Sequence, residues 1–131
     1  MQGSARPAIF GAAALSLLCA CGDERPPLAP PGETEALAGA DAARGRNLVA
    51  GQGCVACHTI PGMRGPLSSV GPPLDNLGRR AYLGGSLPNT PANLVRWLLD
   101  PPSVNPGTAM PKAGLTPAEA ADIAAFLLGR P

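Results

Sequence analysis

The sequence predicts an all-α domain of three main helices with long loops, folded around a group that is not polypeptide and preceded by a leader and a linker. Three observations carry this. The 131 residues include only one Trp, one Tyr and two Phe, so apolar bulk for a core must come from elsewhere. Seventeen Gly and seventeen Pro commit much of the chain to turns and loops, and loops that long need something to wrap around. Apolar residues recur at helical spacings, whereas no strand alternation and no internal repeat stand out.

The chain opens with Arg6, an apolar run from Ala8 to Ala20, and Cys21. A short basic region, an apolar region of secretory length and small residues at its end make a signal for export. The run is too short for a comfortable membrane span. Leu18-Cys19-Ala20-Cys21 resembles a bacterial lipobox, which implies cleavage before Cys21 and acylation of its thiol. A plain secretory signal cut near Ala20, leaving Cys21 as a free thiol, and an uncleaved anchor helix are the alternatives. All three place the rest of the chain outside the cytoplasm, in the periplasm or its equivalent. Residues 21–40 are rich in Pro, Gly and acids without apolar periodicity, a semi-rigid tether whose extended reach is on the order of 50–60 Å. The organisation expected is a signal peptide over 1–20, a tether over 21–40 and a domain over 41–131.

Within the domain, Asp41 caps a first helix that runs to about Ala50 and ends at Gly51 and Gly53. Residues 60–92 read as loop. Thr90 or Pro91 opens a second helix through Leu94, Val95, Trp97 and Leu98, stopped by Pro101-Pro102, and 103–114 is again loop. Thr116 caps a last helix with Pro117 at its first position and Glu119 in its first turn. Ile123, Phe126 and Leu127 give that helix its apolar stripe.

Between the first helix and the loops lies CVACH, Cys54 to His58. Two cysteines three apart can each add across one vinyl group of a haem, giving two thioethers, and the next residue, His58, then lies beneath the iron as proximal ligand. In an exported chain this reading prevails over its rivals. Thiol–disulfide exchange expects a βαβ context that is absent here. Structural zinc needs four ligands, and the chain has no histidine besides His58. The same fact excludes an axial histidine pair within the chain. Of the methionines, Met63 follows His58 too closely to reach the opposite haem face. Met110, in the loop NPGTAMPK, can fold over it. Packing against the haem or a core gap is the commoner fate of a methionine; ligation by Met110 is the expectation here. A His/Met pair raises the potential and fills both axial positions, which suits electron transfer.

CVACH, VGPPL, GRR, PGTAMP and LTPAEAADIAAFLL together resemble a class I cytochrome c domain, over about residues 41–129. The resemblance implies the small class I cytochrome c fold, with three main helices around one covalent haem c. It implies that the carbonyl of Pro72 meets the other ring nitrogen of His58, fixing the ring and its basicity. It gives Arg79, with Arg80 as the neighbour that could substitute, a haem propionate as partner. It places Trp97 in the pocket wall near the axial methionine, its indole N–H available to a propionate or a loop carbonyl. Gly45 and Phe126 match the positions where the first and last helices cross. Leu48-Val49 stand where the family has an aromatic. Residues 70–128 are also similar to the small cytochrome domains found with haem-copper oxidases.

From Asp41 onward, eight basic residues (Arg44, Arg46, Arg64, Arg79, Arg80, Arg96, Lys112, Arg130) outnumber five acidic ones (Asp41, Asp75, Asp100, Glu119, Asp122). That balance is too weak and dispersed for nucleic acid. It suits an acidic protein partner, with Lys112 and Arg64 as steering charges. The expected function is therefore non-enzymatic: one electron carried on one haem c, without a small-molecule substrate. The partners expected are redox proteins such as a respiratory oxidase or dehydrogenase complex, and the membrane through a lipid on Cys21. A haem-relay subunit of a larger oxidase or dehydrogenase, and an open-site haem enzyme or sensor, are the alternatives.

Overall fold

The computed structural model describes residues 35–66 and 68–130. The leader, Cys21 and the tether up to residue 34 lie outside them. The domain is helical with long loops: α1 (Ala42–Gly51), α2 (Pro91–Leu99), α3 (Pro101–Val104) and α4 (Pro117–Leu128), with single 3-10 turns at Glu35–Leu37, Cys54–Ala56 and Leu77–Arg79. No helix among the described residues is long and apolar enough to cross a membrane.

Each main helix starts where its polar cap predicts. Asp41 accepts hydrogen bonds from the N–H groups of Ala43 and Arg44 at 2.8 and 3.1 Å. Thr90 accepts from Asn93 N–H, with Pro91 at the first helical position. Thr116 and Glu119 form a reciprocal capping box, Glu119 accepting from Thr116 N–H at 2.8 Å. Those bonds from Thr116 hold the Glu119 carboxyl below its ordinary pKa.

Three features depart from the sequence expectations. A two-stranded antiparallel hairpin, β1 (Tyr82–Leu83) and β2 (Leu87–Pro88), interrupts the loop, with Leu83 opposite Leu87. Strands of two residues leave no alternation to detect, but Gly84 and Gly85, at φ +54° and +97°, supply the left-handed turn. Pro101 ends α2 and also begins α3, because a proline without an N–H is harmless at the first position of a new turn. Asp100 caps that turn, accepting from Ser103 N–H at 3.3 Å. Glu35–Leu37, assigned above to the tether, packs on α2 and α4, with Leu37 against the core.

The central packing is α1 against α4. The helices approach so closely at Gly45 that a Cβ there would sit 2.0 Å from the Asp122 carbonyl oxygen. One turn further along α4, Phe126 is buried. Asp122 is itself buried, at 4% exposure. Its carboxylate accepts from Asp41 N–H at 2.6 Å and from two nitrogens of Arg44 at 2.8 and 2.9 Å. A buried carboxylate is tolerated only when paired in this way. The Arg44 guanidinium, followed by the Asp41 N–H, holds its carboxyl below the usual range.

Because the native pKa of Asp122 is lowered, the stability it contributes is full above the unfolded value of about 3.9 and is lost as pH falls through the native value. Asp122→Asn is expected to lower the melting temperature at neutral pH and to flatten the acid limb of the stability curve; an acid limb as steep as the parent's would contradict the assignment. Gly45→Ala is expected to cost about 2–3 kcal/mol in denaturant unfolding, since backbone on α4 must move aside.

Candidate haem site

Most buried apolar side chains line a single cavity. Val49, Ile60, Leu77, Leu94, Leu98 and Ile123 are all nearly inaccessible, and all line it. The cavity measures about 470 Å³, within the roughly 300–1,000 Å³ of cofactor sites. Cys54, Cys57, His58, Pro72, Trp97 and Met110 line it as well. Val70 and Tyr82, exposed at 66% and 61%, also belong to the wall, which marks where it opens to solvent.

The local fold of CVACH follows from one carbonyl. Gly53, at φ +74°, turns the chain out of α1. The Cys54 carbonyl then accepts from the N–H groups of both Cys57 and His58, at 3.2 and 3.0 Å. This single turn puts both thiols and the imidazole on the cavity wall. Burial pushes the Cys54 thiol up from its ordinary pKa, so it rests as the neutral thiol.

Two backbone bonds between distant segments complete the proximal side. Gly71 N–H donates to the Cys57 carbonyl at 2.9 Å, and Leu74 N–H to the Thr59 carbonyl at 2.8 Å. They lay 71–74 alongside 57–59, and the Pro72 carbonyl meets His58 Nδ1 at 2.7 Å. A carbonyl only accepts, so Nδ1 carries the proton and the Nε2 lone pair is left for a metal. The imidazole lies flat on Gly71, where a Cβ would come within 2.5 Å of the ring. The loop beyond is pinned by Arg46, donating to the Gly62 carbonyl at 3.2 Å, and by Arg130, donating to the Pro61 carbonyl while stacked 5.0 Å from the Phe126 ring centroid.

The remaining expectations divide. Met110 lines the cavity; Met63 is packed against the core elsewhere and does not. Trp97 lines it too, lying against Gly84 where a Cβ would meet its ring at 2.5 Å. Of the arginine pair, Arg80 lines the wall and Arg79 does not. Arg80 donates to the carbonyls of Pro73 and Asp75 and is 3.8 Å from the Asp75 carboxylate. It is fixed there because the 3-10 turn at Leu77–Arg79 directs successive side chains to different sides, and only one of the pair can face inward. Lys112, an exposed side chain, is paired with Asp100 at 3.0 Å. That pair lowers the Asp100 pKa.

Asn89 and Asn105 were not legible as structural keys. Asn89 Nδ2 donates to the carbonyls of Leu77 and Arg80, at 2.7 and 2.8 Å, tying the 3-10 turn to the hairpin. The Asn-Pro-Gly order at 105–107 is the one sequence signal for a side-chain-closed turn at Asn105.

The donor set fits haem c: two thiols for two vinyl groups, one imidazole with its outer nitrogen already bonded, a thioether from a separate loop, and apolar walls. Among the described residues no group of three or more His, Cys, Asp or Glu gathers to hold a bare metal ion. The family model for cytochrome c matches residues 42–130. The chain belongs to the cytochrome c family. Cytochrome c oxidase subunit 2 of Alkalihalophilus pseudofirmus is 35% identical to this cytochrome over 78 residues, which is 60% of the chain and 21% of that subunit. The chain thus spans about a fifth of the length of that curated relative. A cytochrome c domain binds haem c covalently and moves electrons on it. In this one Cys54 and Cys57 occupy the attachment motif, and the haem would supply the redox change while the protein supplies ligands, orientation and a dry pocket.

Without a filling group, the wall side chains lose their packing partners. The Cys54→Ala, Cys57→Ala double variant is expected to lack a cooperative thermal transition and near-ultraviolet dichroism, whereas the parent shows both. Gly71→Ala is expected to displace the imidazole and lower the yield of protein with attached haem, read as haem absorbance per mole of chain.

Proposed function

We propose that this cytochrome is a one-electron carrier with a single haem c, axially ligated by His58 and Met110, held at the outer face of a membrane by a lipid on Cys21 and serving a respiratory chain. The observation that carries this reading is that one cavity is lined by His58, with Nδ1 engaged by Pro72, and by Met110 from a different loop. Both axial positions are then filled by the chain's own side chains. That favours fast oxidation and reduction of the iron over chemistry on a bound substrate, and argues against an open-site enzyme or sensor. Arg80, from its place in the wall, is the residue we assign to a haem propionate, in preference to Arg79. Trp97 closes the wall near Met110.

The likeness to an oxidase subunit 2 favours a second reading, in which the domain relays electrons inside a larger oxidase assembly rather than carrying them between complexes. The two differ in how the protein is held. A carrier leaves the membrane fraction with its lipid alone, whereas a relay subunit stays with an oxidase at high salt.

Mass spectrometry of the mature protein tests the first reading at once: one haem, a new N-terminus at Cys21 and the added mass of acyl chains are expected, and a free Cys21 thiol would remove the tether. Met110→Ala should keep its haem, lose the long-wavelength methionine-to-ferric-iron band and drop in reduction potential by on the order of 100 mV or more. An unchanged potential would take Met110 off the iron. His58→Ala should yield no normally matured protein.

A further inference from the structure

Asn105 follows α3 directly, at the start of the loop that carries Met110. Its side chain is used at both ends. Nδ2 donates to the Gly84 carbonyl in the hairpin turn at 3.1 Å, and Oδ1 accepts from Gly107 N–H at 3.0 Å. Its backbone carbonyl accepts from Thr108 N–H at 3.0 Å. Thr108 Oγ1 in turn accepts from Met110 N–H at 3.1 Å. The loop has few donors of its own, since Pro106 and Pro111 have no N–H. The turn at the other end of the bridge cannot give way readily. Gly84 sits at φ +54° with the Trp97 ring where a side chain would be.

We infer that Asn105 is the positioning residue for Met110. Its amide clamps the methionine loop to the hairpin and so determines how firmly the thioether is presented to the cavity. This rests on the reading of Met110 as distal ligand. The Asn105 amide acts through Gly84 and Gly107, without touching Met110 itself. The amide is the group the site requires. A carboxylate keeps the acceptor for Gly107 but sets an oxygen against the Gly84 carbonyl, and a serine keeps an acceptor but is too short to reach Gly84.

The test uses the ferric protein with its haem attached and compares Asn105→Asp and Asn105→Ser with the parent. Asp122→Asn, which destabilises the α1–α4 junction, is the control. Two quantities are read: the affinity for added imidazole, which competes with methionine for the iron, and the pH at which the methionine-to-iron band is lost. Both Asn105 variants are expected to bind imidazole about ten-fold more tightly, a factor worth roughly 1.4 kcal/mol and the size of one or two lost hydrogen bonds. They should also lose the band at lower pH, while Asp122→Asn moves neither quantity despite its lower melting temperature. Affinities within about two-fold of the parent for both variants, or an equal change in the control, overturn the assignment. A parent without the band overturns the ligand reading itself, which is seen before any substitution is made. Should neither Asn105 variant accumulate, amide exchange in the parent decides. Protection of Thr108 and Met110 comparable to that in α4 supports the clamp, and exchange as fast as at Gly85 removes it.

Discussion

The buried apolar side chains of this domain form one cluster, and most of them also line the cavity that presents Cys54, Cys57 and His58. Gly45 lets the backbones of α1 and α4 touch at Asp122 and Ile123. Val49, Leu77, Leu94, Leu98 and Ile123 pack within that cluster and also line the cavity. A protein interior is close-packed, and a haem held by Cys54 and Cys57 would give those walls a large, flat, apolar partner. The scarcity of aromatics in the sequence and the length of the loops both suit such a partner. The helices supply a rigid frame, and the loops between them are shaped by what they enclose.

The frame and the site are joined by few links. Asp122 ties the start of α1 to α4, Arg46 and Arg130 pin the segment after His58, and Asn89 ties the 3-10 turn at 77–79 to the hairpin. Each link ends on a backbone carbonyl or N–H, or on a buried carboxylate. Such contacts fix loop position without requiring the loop to be regular. This is how a chain with seventeen prolines and seventeen glycines can still hold an imidazole and a thioether in the lining of one cavity.

What could be read from the sequence was what is local. Asp41, Thr90 and Thr116 announce helix starts because a cap bonds within its own first turn, and Cys54, Cys57 and His58 are read together because the motif spans one turn of chain. Features that depend on contact at a distance were not legible. Asp122 looked like a surface charge, although its place on the stripe of Ile123 and Phe126 carries it to the buried face of α4. Arg79 and Arg80 are indistinguishable in sequence; Arg79 closes the 3-10 turn and Arg80, which follows it, lines the cavity. The hairpin at 82–88 was hidden because its strands are two residues long. Leu37 was hidden because its burial comes from α2 and α4, far along the chain.

The two sides of the cavity are held by different kinds of atoms. On the proximal side the imidazole meets a backbone carbonyl at Pro72 and bare backbone at Gly71. On the side of Met110, the loop hangs on the side chains of Asn105 and Thr108. Point mutation replaces side chains and leaves peptide groups in place. Substitution at position 72 therefore leaves in place the carbonyl that meets His58 Nδ1, whereas exchanges at Asn105 or Thr108 remove bonds of the loop that carries Met110. Within this fold, sequence drift acts on the Met110 loop through the side chains that hold it, and on the imidazole through the added bulk that Gly71 excludes.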